Sequence, residues 1–106
     1  MKSIEELKSK YAERAVNRAG CWLLDVNAAL DFLADLEANK IAVNGIEGYW
    51  LRGNAIEPSL ANSVYFIGTD IRVASLKGSD SFAKARTFLL QRQSTGLLFD
   101  FDTGAG

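Results

Sequence analysis

The chain predicts a single α+β domain, residues 1–106, with a mainly antiparallel sheet packed by about three helices, and three observations predict it. Two amphipathic stretches open the sequence. Residues 41–58 then carry turn dipeptides spaced for hairpins and not for βαβ crossovers, and a third amphipathic stretch precedes a short β-rich C-terminus. The resulting order, ααβββ followed by αβ, places helices on one face of the sheet. At 106 residues the chain is long enough to bury one core and too short for a core plus a second folding unit. Its 48% apolar and 24% charged residues are the composition of a globular chain.

Ser3-Ile-Glu-Glu6 reads as a capping box, with the Ser3 hydroxyl placed for an orphan N–H and Glu6 able to reach back. Ile4, Leu7, Tyr11 and Ala15 follow at helical spacing and Gly20 suits a C′ position, so the first helix is expected over 4–18. Its outer row Glu6, Lys10, Arg14 and Arg18 reads as solubility. Cys21-Trp-Leu-Leu24 is an apolar link to Asp25, the N-cap of a helix over 26–38 with Val26, Ala29, Leu30, Leu33 and Leu36 as its buried stripe. Asn39 is placed to adopt a left-handed conformation and reverse the chain.

Asn44-Gly45 is a strong type I′ hairpin signal and Gly53-Asn54 a II′-like one, so three short strands are expected, at 41–43, 47–52 and up to Pro58. One or two further strands fall at Val64–Ile67 and Ile71–Ala74. Gly78–Ser81 offers caps for a helix over 80–94 closed by Gly96, Leu97–Asp102 reads as the last strand, and 103–106 as a frayed end.

For chemistry the chain offers little. With no histidine there is no Ser-His or Cys-His pair and no imidazole zinc site. The single cysteine, Cys21, excludes an internal disulfide and is expected to be a buried, unreactive thiol. Neither Gly45–Gly48 nor Gly104–Gly106 has the strand, loop, helix and lysine of a phosphate cradle. No cofactor and no metal are expected. No run approaches the roughly 18 apolar residues of a membrane span, and the charged N-terminus has no apolar signal core, so a cytoplasmic protein is expected. Glu47 and Glu57 are the one pair suited to acid/base work across a hairpin.

Charge is unevenly distributed along the chain. Residues 19–70 hold two bases against seven acids, whereas each flanking segment holds five bases against three acids. An acidic centre repels nucleic acid and attracts basic proteins, and it is also what an ordinary solvated surface looks like. Asn27, Asp31 and Asp35 fall four apart on the second helix, a weak pointer to a basic partner. Tyr49 and Trp50 alternate to opposite faces of their strand, so one aromatic is expected to be exposed as a binding anchor. No basic-aromatic motif accompanies the sheet aromatics, which argues against a nucleic-acid platform.

An amphipathic helix, then Ile-Ala-Val-Asn-Gly-Ile-Glu-Gly-Tyr-Trp-Leu, a turn and Ile-Glu-Pro-Ser resembles small α+β immunity proteins of bacterial polymorphic-toxin systems, over about residues 22–62. In those proteins helix, hydrophobic strand, Gly-Gly-Glu-x-Tyr, turn and Glu-Pro-Thr recur in that order. Gly45-Ile46-Glu47 here replaces Gly-Gly-Glu, Ser59 stands where threonine is usual, and Ala61-Asn62-Ser63 replaces an Asp-Asn-Trp-like run. The resemblance implies a non-catalytic inhibitor of a cognate toxin domain, often a basic nuclease, with Glu47, Tyr49, Glu57, Pro58 and Asn62 as the matching positions. Glu47, Tyr49, Glu57 and Asn62, together with Asp31, Asp35 and Trp50, are the candidate partner-binding residues. Pro58 and Tyr49 also suit structural roles. Other classes stay open, namely an adaptor subunit pairing through a sheet edge and a small carboxylate-dependent enzyme.

Overall fold

A computed structural model of the chain describes residues 1–66 and 79–103. Its elements run α1 (Ile4–Lys10), β1 (Val16–Arg18), β2 (Cys21–Asp25), α2 (Val26–Ala38), β3 (Val43–Arg52), β4 (Ala55–Tyr65), α3 (Ser79–Leu90) and β5 (Leu98–Thr103). Every strand pairing is antiparallel and the sheet order is β1-β2-β5-β3-β4, with the C-terminal strand in the middle. The α+β class, the antiparallel sheet and the last strand are as expected. The expected strand at Ile71–Ala74, the Gly78 cap and residues 104–106 of the expected frayed end lie outside the described residues, whereas Thr103, expected in that end, closes β5 opposite Val43.

Helix α1 begins with the expected capping box, in which Ser3 Oγ accepts the Glu6 N–H and Glu6 Oε1 accepts the Ser3 N–H, both at 3.2 Å. It stops at Lys10 and does not reach 18. Val16–Arg18 instead pairs with Cys21–Asp25, and Ala19 and Gly20, at φ 51° and 78°, form a two-residue turn with both central residues at positive φ. Gly20 therefore does supply positive φ, but to a hairpin and not to a helix end. The apolar link Cys21–Leu24 is strand β2, half-buried at Cys21 and fully buried at Leu23 and Leu24.

Asp25 caps α2 as expected, its Oδ1 accepting the Ala28 N–H at 2.8 Å. The helix closes in a Schellman motif, with the Ile41 N–H on Leu36 O at 2.9 Å and the Lys40 N–H on Glu37 O at 3.1 Å. Lys40, at φ 55°, takes the left-handed position that was expected of Asn39. Asn39 keeps a negative φ of −100° and braces the end instead, its Nδ2 donating to Asp35 O at 2.8 Å. The third helix is shorter than expected, ending at Leu90, and the chain turns through positive φ at Ser94 and Gly96.

Asn44-Gly45 forms no turn. It lies inside β3, a strand of 10 residues that serves as partner to β4 on one side and β5 on the other. The glycines of β3 are there for close approach. A Cβ on Gly45 would sit 2.8 Å from Tyr65 Cδ1, and one on Gly48 would collide with the Asn62 carbonyl oxygen. The Gly53-Asn54 turn forms as expected, joining Arg52 to its partner Ala55 with Gly53 at φ 61°. Pro58 does not end β4; it lies within it, opposite Tyr49, on the outer strand of the described sheet where a missing N–H is tolerated.

Between the pairs Ile46↔Val64 and Gly48↔Ser59, Leu60–Ser63 of β4 face Glu47 alone, so β4 bulges. Ser63 Oγ holds the bulge, accepting the Gly48 N–H at 3.1 Å and donating to Ser59 O at 2.8 Å.

The three described helices cover one face of the sheet. Phe32 of α2 is the hub, its ring 5.3 Å from Tyr11, 5.3 Å from Trp22 and 5.2 Å from Phe101. Leu24, Leu33, Leu36, Ile46, Leu89 and Phe99 complete the buried interior around it. Phe99 and Phe101 alternate with Asp100 and Asp102, so the acids of β5 project to the opposite face, which carries no helix among the described residues.

Because Gly48 admits the bulge backbone, Gly48→Ala is expected to destabilise the fold by about 2 kcal/mol, within the range of overpacking substitutions. Urea unfolding checks it, and a midpoint equal to that of the unmodified chain would contradict the packing at Gly48.

Candidate functional site

The seven expected site residues fall into four places. Asp31 and Asp35 lie on α2, where Lys10 of α1 and Arg14 in the turn after it supply their counter-charges. Asp35 Oδ2 accepts the Tyr11 hydroxyl at 2.6 Å and Lys10 Nζ at 2.9 Å, and Asp31 Oδ2 pairs with Arg14 at 3.0 Å. The Tyr11 and Lys10 bonds hold the Asp35 carboxyl below its ordinary range, and burial together with the Asp35 bond raises the Tyr11 phenol above its own. Glu37 pairs with Arg86 at 2.7 Å. The acidic row of α2 is therefore matched within the chain and not presented bare.

Trp50 and Glu57 are opposite each other on the helix side of the sheet. Trp50 is half-buried against the core cluster, with the Arg52 guanidinium 5.8 Å from its ring centre, and Arg52 Nε lies 3.5 Å from Glu57 Oε2. Asn62 is a brace in the bulge, donating to Ser59 Oγ at 2.9 Å and accepting from Arg92 Nε at 3.1 Å. Glu47 and Glu57 point to opposite faces, so the acid/base pair across the hairpin does not form.

Glu47 and Tyr49 are the two that share a surface. Both project from β3 to the face opposite the described helices, and the register sets Glu47 directly opposite Asp100, Gly45 opposite Asp102 and Tyr65, and Tyr49 opposite Leu98. Three carboxylates and two tyrosines thus gather on adjacent strands. The Tyr65 hydroxyl donates to Glu47 Oε2 at 3.0 Å. Among the described residues no salt bridge engages Glu47, Asp100 or Asp102.

This proximity perturbs the titration of the group. Burial raises the Asp100 carboxyl above its ordinary range, the charge of Glu47 adds to that, and Lys8 offsets only part of it. Burial, the Glu47 charge and the neighbouring Cys21 push the Tyr49 phenol up to about 12. Tyr65 is raised by its bond to Glu47. Among the described residues no group of three or more potential ligands is arranged for a metal ion, and no helix is long and apolar enough to cross a membrane. What the face presents is negative charge beside aromatic rings, a surface suited to cationic side chains.

Asp100, Asp102 and Tyr65 were missed by sequence reasoning. The signal was present in Leu97-Leu-Phe-Asp-Phe-Asp102, where period-two alternation separates the phenylalanines from the aspartates.

No family model, no curated protein and no solved structure matches the chain.

A carboxyl raised in the folded state favours folding below its unfolded pKa, and that contribution is lost as pH rises through the folded value. Asp100→Asn is therefore expected to raise the melting temperature at pH 7 by a few degrees. The gain should shrink as pH falls through the raised folded value of the aspartate and be absent below its ordinary one, about pH 4. A variant less stable than the parent at pH 7 would contradict the account.

Proposed function

We propose that the chain is a non-catalytic protein-binding module of the immunity-protein type, whose acidic sheet face, opposite the described helices, docks on a basic surface of a cognate toxin domain. The observation that carries this reading is the contrast between two sets of acids. Asp31, Asp35, Glu37 and Glu57 are in salt bridges with cations of this chain, whereas Glu47, Asp100 and Asp102 stand together with Tyr49 and Tyr65 and form no salt bridge among the described residues, Lys8 acting on Asp100 only at longer range. Clustering like charges on one face is unfavourable in the free protein and becomes favourable when a cationic partner arrives.

The resemblance to immunity proteins supports the same partner chemistry and supplies Glu47 and Tyr49 as matching positions. Tyr65, 47% exposed, and the uncovered part of Tyr49 furnish the aromatic contacts, a role that Trp50, lodged against the core, suits less well. Asp31, Asp35, Glu57 and Asn62 then act as structural braces around the binding face.

The test is binding to the toxin domain encoded beside the gene for this chain, followed by surface plasmon resonance at several salt concentrations. Glu47→Lys is expected to weaken binding at least about tenfold, and association with the parent chain should slow as salt rises. Asp31→Asn should leave the affinity within about twofold. Loss of binding in Asp31→Asn with Glu47→Lys unaffected would return the interface to the helices and refute the reading.

A further inference from the structure

A second surface lies at the opposite edge of the described sheet. Helix α3 overhangs strand β4 there, and between them runs a groove of about 470 Å³ lined by Ser63, Val64, Lys84, Thr87, Phe88 and Arg92 among others. Nothing in the acidic-face reading uses it.

Three observations say what fits this groove. The first is backbone polarity. Phe66 donates its N–H to Asn44 O of β3 at 2.7 Å, and successive residues of a strand alternate direction, so Tyr65 turns its N–H and C=O away from β3 toward the outer edge. The second is where edge protection ends. Pro58 and the Leu60–Ser63 bulge disrupt the earlier part of β4 as a template, but Val64 and Tyr65, beside the groove, carry neither device. Strand β1, at the other edge, has only 3 residues and is a poor template.

The third observation is charge. Among the described residues the groove lining contains Lys84 and Arg92 and no carboxylate. Lys84 is exposed and makes no salt bridge among the described residues. Arg92 is fixed in place, its guanidinium 3.9 Å from the Phe88 ring centre and its Nε on Asn62 Oδ1. Val64 thus lies as an apolar strip beside two cations, Lys84 and the Arg92 that covers the buried Phe88 ring.

We propose that this groove receives an extended acidic segment of a partner protein, added as a strand to the end of β4. Backbone bonds to Tyr65 give the segment its direction. Alternate side chains enter the groove, an apolar one over Val64 and acids toward Lys84 and Arg92. This surface is distinct from the acidic face, and either can fail without the other.

Two synthetic peptides titrated into the isotope-labelled full chain test the proposal by amide NMR. Ser-Glu-Thr-Val-Thr-Glu-Ser puts both glutamates and the valine on one face of a strand, and its counterpart carries lysine in place of glutamate. The acidic peptide is expected to give saturable shifts at Tyr65, Lys84 and Thr87, and Lys84→Glu to weaken it about fivefold. The lysine peptide should bind at least about tenfold more weakly.

N-methylating one of two adjacent central amides separates strand addition from charge attraction alone. Only alternate amides face β4, so one isomer should lose binding and the other keep it. Absence of saturable shifts, shifts confined to the Glu47 face, equal affinity for the two peptides, or equal binding of both N-methyl isomers would each overturn the proposal.

Discussion

The insertion of β5 between β2 and β3 is the constraint on which the rest of the structure depends. The pairs β1–β2 and β3–β4 are local hairpins, and neither has a partner for its inner edge until the C-terminal strand arrives. Leu24↔Phe99 on one side and Ile46↔Phe101 on the other join them into one sheet. Closing such distant contacts is entropically costly, and burial of Phe99 and Phe101 beneath α2 and α3, worth about 1.5–3 kcal/mol per side chain, offsets it. Once those two rings face the helices, Asp100 and Asp102 have no choice of side. The acidic face is thus a direct consequence of how the core closes.

Charge is arranged differently on the two sides of that sheet. On the helix side, Lys10 and Arg14 fall four residues apart and meet Asp35 and Asp31, which are spaced likewise on α2. These exposed pairs add little stability individually, but they neutralise a row that otherwise repels itself. On the other side Glu47 and Asp100 are cross-strand neighbours of like charge, an arrangement that weakens a sheet. A fold that matches its acids where the described helices meet and concentrates them on the opposite face of the sheet has the electrostatic form of a docking surface.

What could be read in advance was the chemistry of individual positions, and what could not was the tertiary context that redirects it. The Ser3 capping box, the Asp25 N-cap, the α2 stripe and the alternating last strand all follow local rules that the fold obeys. The end of α1 did not, because Ala15 and Tyr11 continue a helical spacing while Val16–Arg18 is claimed by pairing with β2. Asn44-Gly45 has the residues of a turn, but β3 must stay extended to serve both β4 and β5, and its glycines are used for close packing.

The site was legible in the same partial way. Glu47 and Tyr49 share a surface as their spacing implies, whereas Asp31 and Asp35 were read without the Lys10 and Arg14 cations that meet them. Asp100, Asp102 and Tyr65 join the face only through strand order, which a single sequence does not display.

A double-mutant cycle on Glu47→Gln and Asp100→Asn, read by urea unfolding at pH 7, tests the central claim most directly, because it measures whether β5 holds these two charges against each other. The account predicts that the double variant gains less stability than the two single gains combined, by about 0.5 kcal/mol, since both substitutions relieve one repulsion. Strict additivity would mean that the carboxylates do not face one another, and would contradict both the β3–β5 register and the acidic face built on it.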